Sequence, residues 1–67
     1  MSYANSKITM RSGDVHFATE TSSVVAKIVE VGRAGNKALV SFEAPTIPAG
    51  ELFYVDPNEV ASITAVR

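Results

Sequence analysis

The chain of 67 residues contains no cysteine and a single histidine. Disulfide bonds and thiolate metal ligands are therefore excluded, and one histidine cannot form a histidine-rich metal cluster. We expect neither a metal site nor a cofactor. A domain this short buries only about 60% of the surface of its unfolded chain and is marginally stable alone. Association with itself or with another protein is therefore expected.

The sequence also lacks any block of charge and any long apolar segment. Six Lys and Arg residues balance seven Asp and Glu residues, which gives a net charge of −1 without a basic run or an acidic tail. Non-specific nucleic-acid binding needs clustered basic residues and is therefore disfavoured. No apolar run has the length of a membrane span, and the opening "MSYANSK" lacks the features of a signal peptide. These absences predict a cytoplasmic protein that does not enter a membrane.

The segment "KITMRSGDVHFA" predicts a β-hairpin over residues 7–18. With Ser12 and Gly13 as the two central residues of the turn, Ile8 faces Phe17 and Thr9 faces His16. Apolar and polar residues then alternate along both strands. One predicted face carries Ile8, Met10, Val15 and Phe17, and the other carries Thr9, Arg11, Asp14 and His16.

The next segment, "TETSSVVAKIVEVGRAG", fits either a helix or a strand. Its polar residues recur at helical spacing with apolar residues on the opposite side, as in an amphipathic helix. Ser and Thr residues can cap the start, and Gly32 or Gly35 can end the helix. Against this, four valines and an isoleucine are β-branched and favour strands. We predict a helix over residues 23–31, with a strand as the alternative.

The remaining chain predicts three strands. "NKALVSFEA" alternates, with Ala38, Val40 and Phe42 on one face, and the prolines of "PTIPAG" end it. "ELFYV" is apolar on both faces, which predicts a strand that is central in the sheet or packed against a second subunit. In "DPNE", Asp56 fits the N-cap and Pro57 the first position of one helical turn. "ASITAVR" then closes the chain as a strand.

The candidate binding residues are basic or aromatic. Folding could gather the scattered basic residues into an anion site, and an aromatic side chain can stack on a nucleotide or a nucleic-acid base. Neither a nucleophile elbow nor a phosphate loop surrounds the serines and glycines. No catalytic residue is therefore assigned, and the protein is not expected to be an enzyme. The candidates are Arg11, His16, Arg33, Lys37, Phe53 and Tyr54.

Several stretches resemble known families. The tail "GELFYVDPNEVASI" resembles the end of an SH3-like barrel, where a single 3₁₀ turn joins the last two strands. The hairpin "VVAKIVEVGRAGNKALVSFEAP", together with the earlier "ITMRSGD", is similar in layout to the carbon-storage regulator family, which binds RNA as an interlocked β dimer. The basic residue that such proteins carry after the penultimate strand would fall near Asp56, which is acidic here. The order of the opening hairpin, the amphipathic segment, "GNKALVSFEA" and "VDPNEVASI" resembles small uncharacterised proteins of bacteriophages and actinobacteria. A phage-encoded protein would work in the host cytoplasm.

Together these features predict one small domain over residues 1–67, with residues 1–6 flexible. The predicted fold is α+β, with a small curved antiparallel sheet built from the N-terminal hairpin and three further strands, and with one short helix on one face. The alternative is an all-β, SH3-like small barrel. The predicted function is a non-enzymatic interaction or assembly module that self-associates or binds another protein. The alternative is a small protein that binds a nucleotide or a nucleic acid.

Overall fold

The fold combines one α-helix, one short 3₁₀ helix and five strands in two antiparallel sheets, as seen in a computed structural model that describes residues 3–45 and 51–66. The predicted α+β class is confirmed. The all-β barrel is wrong, because residues 22–34 are helical and the sheets do not close on each other. The elements in chain order are β1 (Ser6–Met10), β2 (Val15–Ala18), α1 (Ser22–Ala34), β3 (Val40–Glu43), β4 (Leu52–Val55), η1 (Pro57–Glu59) and β5 (Val60–Ala65).

The strands divide between two sheets rather than forming the single curved sheet that we expected. One sheet has the order β2-β1-β5, and the other contains β3 and β4. The closing strand thus pairs with the opening one, and β1 is central. Ser6, which falls in the predicted flexible start, is the first residue of β1 and is fully buried.

The first hairpin turns through three residues rather than two. The N–H of Gly13 donates to the carbonyl oxygen of Met10 (2.9 Å), and the N–H of Met10 donates to the carbonyl oxygen of Asp14 (2.8 Å). Gly13 has a φ of 97°, in the left-handed region that glycine adopts without strain. This pattern is typical of a three-residue hairpin loop with a glycine bulge. The predicted two-residue turn is therefore wrong.

The longer turn shifts the register of β2 by one residue. Ile8 faces His16 instead of Phe17, so the side chains of β2 lie on the opposite faces from those predicted. His16 is half-buried on the inner face, whereas Phe17 is 45% exposed on the outer face. The predicted apolar face is confirmed for β1 and wrong for β2, and His16 does not lie on a solvated polar face.

The predicted helix is confirmed and extends over Ser22–Ala34. It ends at the cap residue Gly35, after which Asn36 adopts a left-handed φ of 52°. The N–H of Lys37 then donates to the carbonyl oxygen of Gly32 (2.9 Å), which completes a Schellman motif with asparagine in the usual place of glycine. Within the described ranges, no helix has the length and apolarity needed to cross a membrane.

The β3–β4 hairpin contributes one face to the core. Val40 faces Val55 and Phe42 faces Phe53, and these side chains point inward. In the part of the chain that the structure describes, β4 has a strand neighbour on its β3 side only. The prediction that "ELFYV" is a central strand is therefore wrong, and its packing against a second subunit stays a prediction.

A capped 3₁₀ turn joins the last two strands. The carboxylate of Asp56 accepts a hydrogen bond from the N–H of Asn58 (2.9 Å), and Pro57 is the first residue of η1. The predicted N-cap is thus confirmed.

The core lies between this corner, α1 and the two sheets, and its buried apolar residues are Ile8, Met10, Ala18, Val25, Val29, Val40, Phe42, Val55 and Val60.

Candidate functional site

The outer edge of β4 carries backbone groups that pair with no residue of the ranges 3–45 and 51–66. In the β3–β4 ladder, the N–H of Ala44 donates to the carbonyl oxygen of Glu51 (2.8 Å). Successive residues of an antiparallel strand direct their backbone groups to opposite sides. Residues 51, 53 and 55 therefore point toward β3, and the N–H and C=O groups of Leu52 and Tyr54 point away from it.

The side chains of the same two residues are apolar and exposed. Phe53 and Val55 point into the protein, so Leu52 and Tyr54 lie together on the outer face, where they are 51% and 62% exposed. The strand contains neither lysine nor proline, the residues with which proteins commonly protect a sheet edge. Such an edge is typical of a surface to which a further strand can add.

Other strand edges are partly covered by the chain itself. The N–H of Thr19, just beyond β2, donates to the carbonyl oxygen of Glu43 in β3 (3.0 Å). The carboxylate of Glu20 accepts the N–H of the same Glu43 (3.1 Å). These bonds join the end of β2 to the end of β3, while α1 packs against β5. Among the described residues, the chain thus forms hydrogen bonds of its own at the ends of β2 and β3, but none at the outward backbone groups of Leu52 and Tyr54 in β4.

His16 and Phe53 meet across the gap between the two sheets. Their rings are stacked, with centroids 5.4 Å apart and planes inclined by 22°. Phe53 also contacts the fully buried Phe42, with centroids 5.9 Å apart. The structure thus brings these two candidate residues together, and their contact closes one side of the core between β2 and β4.

Arg33 binds the protein's own backbone. Its Nε donates to the carbonyl oxygen of Pro57 (2.9 Å), and its Nη2 donates to that of Val60 (2.9 Å). Both carbonyls belong to the corner between β4 and β5, so Arg33 ties the end of α1 to that corner.

Arg11 lies in the first hairpin turn, where its backbone N–H donates to the carbonyl oxygen of Glu59 (2.8 Å) and its side chain is exposed.

Lys37 lies beside an open groove of about 410 Å³ between the second half of α1 and β3. The groove has apolar walls that include Val31 and Leu39, which are 51% and 56% exposed. Lys27 provides a second ammonium group on the helix side. The groove is lined by Lys27, Ile28, Val31, Gly32, Lys37, Leu39, Val40 and Ser41.

The six candidate binding residues therefore do not form a single site. Phe53 and Tyr54 are neighbours in sequence, but their side chains lie on opposite faces of β4. Leu52 is not among the candidates predicted from the sequence, although alternation within "ELFYV" places it on the same face as Tyr54. Lys27 is not among them either, because its position in the groove depends on how α1 packs against β3 and has no local signal.

No protein-family model, no curated protein and no solved structure matches the chain.

Proposed function

We propose that the protein is a non-enzymatic interaction module that assembles as a homodimer through the open edge of β4. One observation carries the proposal: at Leu52 and Tyr54, exposed side chains coincide with backbone groups that have no partner among the described residues. Pairing with another strand gives each backbone group a hydrogen-bond partner and removes both side chains from water. The cytoplasm is the proposed location, on the sequence arguments given above.

The open edge is complementary to itself about a two-fold axis. When two β4 strands run antiparallel with the axis beside Phe53, Leu52 of one copy faces Tyr54 of the other. Each of these residues directs its N–H and C=O toward the partner, so each facing pair exchanges both of its hydrogen bonds. The leucine and tyrosine side chains then meet on the outer face of one continuous sheet, with the order β3-β4-β4-β3.

Two properties of the chain favour such an assembly. An isolated two-stranded hairpin is marginally stable in water, and pairing would extend the β3–β4 hairpin into a larger sheet. The chain is also so short that a large part of its surface stays exposed after folding. Dimerisation would therefore stabilise the folded state in two ways: it adds strand pairs to the hairpin, and it buries surface that is exposed in a single copy.

Sedimentation velocity over a range of protein concentrations tests this proposal. We expect the wild-type protein to dimerise reversibly and the Tyr54→Lys variant to stay monomeric, because a lysine on an edge strand opposes pairing. Circular dichroism will show that the variant is folded.

Phe17→Lys is the matched control, since Phe17 is also an exposed aromatic residue on the outer face of an edge strand. This variant should dimerise like the wild type. A monomeric wild-type protein, or a dimer that Phe17→Lys disrupts and Tyr54→Lys does not, would contradict the proposal.

A further inference from the structure

We infer that the groove between α1 and β3 binds an extended, acidic peptide segment of another protein. The inference concerns a second surface, because the groove lies beside the free side of β3 and not beside β4. It rests on the backbone, the apolar walls and the charge of the groove.

The backbone of β3 is unpaired at one position in the groove. The ladder with β4 directs residues 41 and 43 away from β4, by the alternation described above. Both backbone groups of Glu43 already have partners within the protein. Its N–H donates to the Glu20 carboxylate, and its carbonyl oxygen accepts from the N–H of Thr19. Ser41 lines the groove and keeps its N–H and C=O unpaired with respect to the residues that the structure describes. An extended peptide can pair with Ser41 as an added strand.

The walls of the groove suit apolar side chains of such a peptide. Ile28 and Val31 come from α1, and Leu39 comes from the residue before β3. At the base of the groove, Gly32 lies directly against Val40, so that α1 and β3 pack closely there. Because successive side chains of a strand point to opposite sides, every second residue of a bound peptide would face these walls.

The charge of the groove selects an acidic partner. Lys27 and Lys37 are both part of the lining, which contains no Asp or Glu. Neither ammonium group forms an ion pair with the described part of the chain. The acidic Glu20 and Glu43 lie at the other end of β3, where their hydrogen bond closes the strand edge. Acidic residues of the peptide would therefore lie toward the lysines.

Binding of a defined probe tests the inference. The probe is an end-capped, fluorescently labelled hexapeptide of alternating leucine and glutamate, and its affinity is measured by fluorescence anisotropy with the full chain. We expect saturable binding, and we expect the amide resonances of Val31, Leu39 and Ser41 to shift in NMR spectra. The Lys27→Gln/Lys37→Gln variant should bind about fivefold more weakly, as expected for the loss of two exposed ion pairs.

Four controls separate the contributions of charge, strand pairing and dimerisation to binding of the probe. Lys7→Gln/Arg11→Gln removes the same charge away from the groove and should leave the affinity unchanged. A probe of alternating leucine and lysine should bind much more weakly than the acidic one. A probe N-methylated at every residue, which cannot donate a hydrogen bond to the carbonyl oxygen of Ser41, should also bind much more weakly. The monomeric Tyr54→Lys variant should bind the acidic probe normally, so this inference and the proposed homodimer can fail independently.

Several results would overturn the inference. These are an absence of saturable binding, equal affinity for the acidic and basic probes, and unchanged affinity in the double lysine variant. Resonance shifts confined to Leu52 and Tyr54 would place the peptide on β4 instead. Concentration-dependent shifts of the groove amides without any probe would show that a second copy of the chain fills the groove.

Discussion

Gly32 of α1 lies so close to Val40 of β3 that a Cβ atom on the glycine would be 2.7 Å from Val40 Cγ1. Pro57 is also near, with carbon atoms 3.3 Å from the same point. Gly32→Ala gains about 1 kcal/mol of helix propensity but loses about 1–3 kcal/mol through overpacking. We therefore expect a net loss of about 1 kcal/mol in the free energy of unfolding, measured by urea denaturation.

A double-mutant cycle identifies the cause of that loss. If the contact with Val40 is responsible, Val40→Ala should be less destabilising in the Gly32→Ala background than in the wild type, by about 1 kcal/mol. Additive effects of the two substitutions would show that the glycine is required for another reason.

Arg33 is expected to stabilise the fold through its two bonds to the carbonyl oxygens of Pro57 and Val60. Arg33→Ala leaves both oxygens without these donors and should lower the free energy of unfolding by about 1–2 kcal/mol. Arg33→Lys should recover only part of the loss, because an ammonium group lacks the planar fork of a guanidinium. Chemical denaturation followed by circular dichroism measures both variants.

Arg11→Ala provides the comparison for Arg33, since it removes the same charge from an exposed side chain. Its effect should stay within about 0.5 kcal/mol. Equal effects of Arg11→Ala and Arg33→Ala would mean that the two carbonyl bonds contribute nothing specific to stability.

Ser6 contains a fully buried hydroxyl group for which the described residues offer no hydrogen-bond partner. Burying an unpaired hydroxyl costs about 1–3 kcal/mol, so Ser6→Ala should stabilise the protein by about 1 kcal/mol. Thermal unfolding of this variant beside Ser62→Ala, which alters an exposed serine of β5, measures the difference. A clear destabilisation by Ser6→Ala alone would indicate that the hydroxyl has a partner, such as a buried water molecule.

The helix and the capped corner could be predicted from the sequence, because both have local signals. The polar residues of α1 recur at helical spacing, and β-branched residues were outweighed by burial of Val25 and Val29. At the corner, Asp56 and Pro57 occupy the positions that a helix start favours. These features depend on neighbours in the sequence and not on distant contacts.

The register of the first hairpin could not be predicted, because burial and turn geometry favour different answers. A two-residue turn would bury Phe17 beside Ile8, but in its common form it requires a positive φ at both Ser12 and Gly13. The observed loop needs a positive φ at Gly13 only. His16 then takes the inner position, where Phe53 of the other sheet stacks on it.

The candidate site was predictable only in part. Tyr54 is a candidate because it is aromatic, but its neighbour on the outer face, Leu52, is identified only by the β3–β4 ladder, which shows which residues direct their backbone outward. The groove beside Lys37 depends on the packing of α1 against β3, which involves residues far apart in the chain. Such contacts have no signature in a single sequence.

Cysteine cross-linking of a mixture tests the central claim, the pairing of two β4 edges about a two-fold axis. The native chain has no cysteine, so Leu52→Cys and Tyr54→Cys each introduce a single thiol. In the proposed dimer, residue 52 faces residue 54 of the second copy at a Cα separation of about 5.5 Å, within the range of a disulfide. The two copies of residue 52 are about 8–9 Å apart, which is beyond that range, and the same holds for residue 54.

Under mild oxidation, an equimolar mixture of the two variants should therefore form a covalent heterodimer, whereas each variant alone should form little covalent dimer. A mixture that yields no heterodimer, or that cross-links no better than either variant alone, would contradict the account.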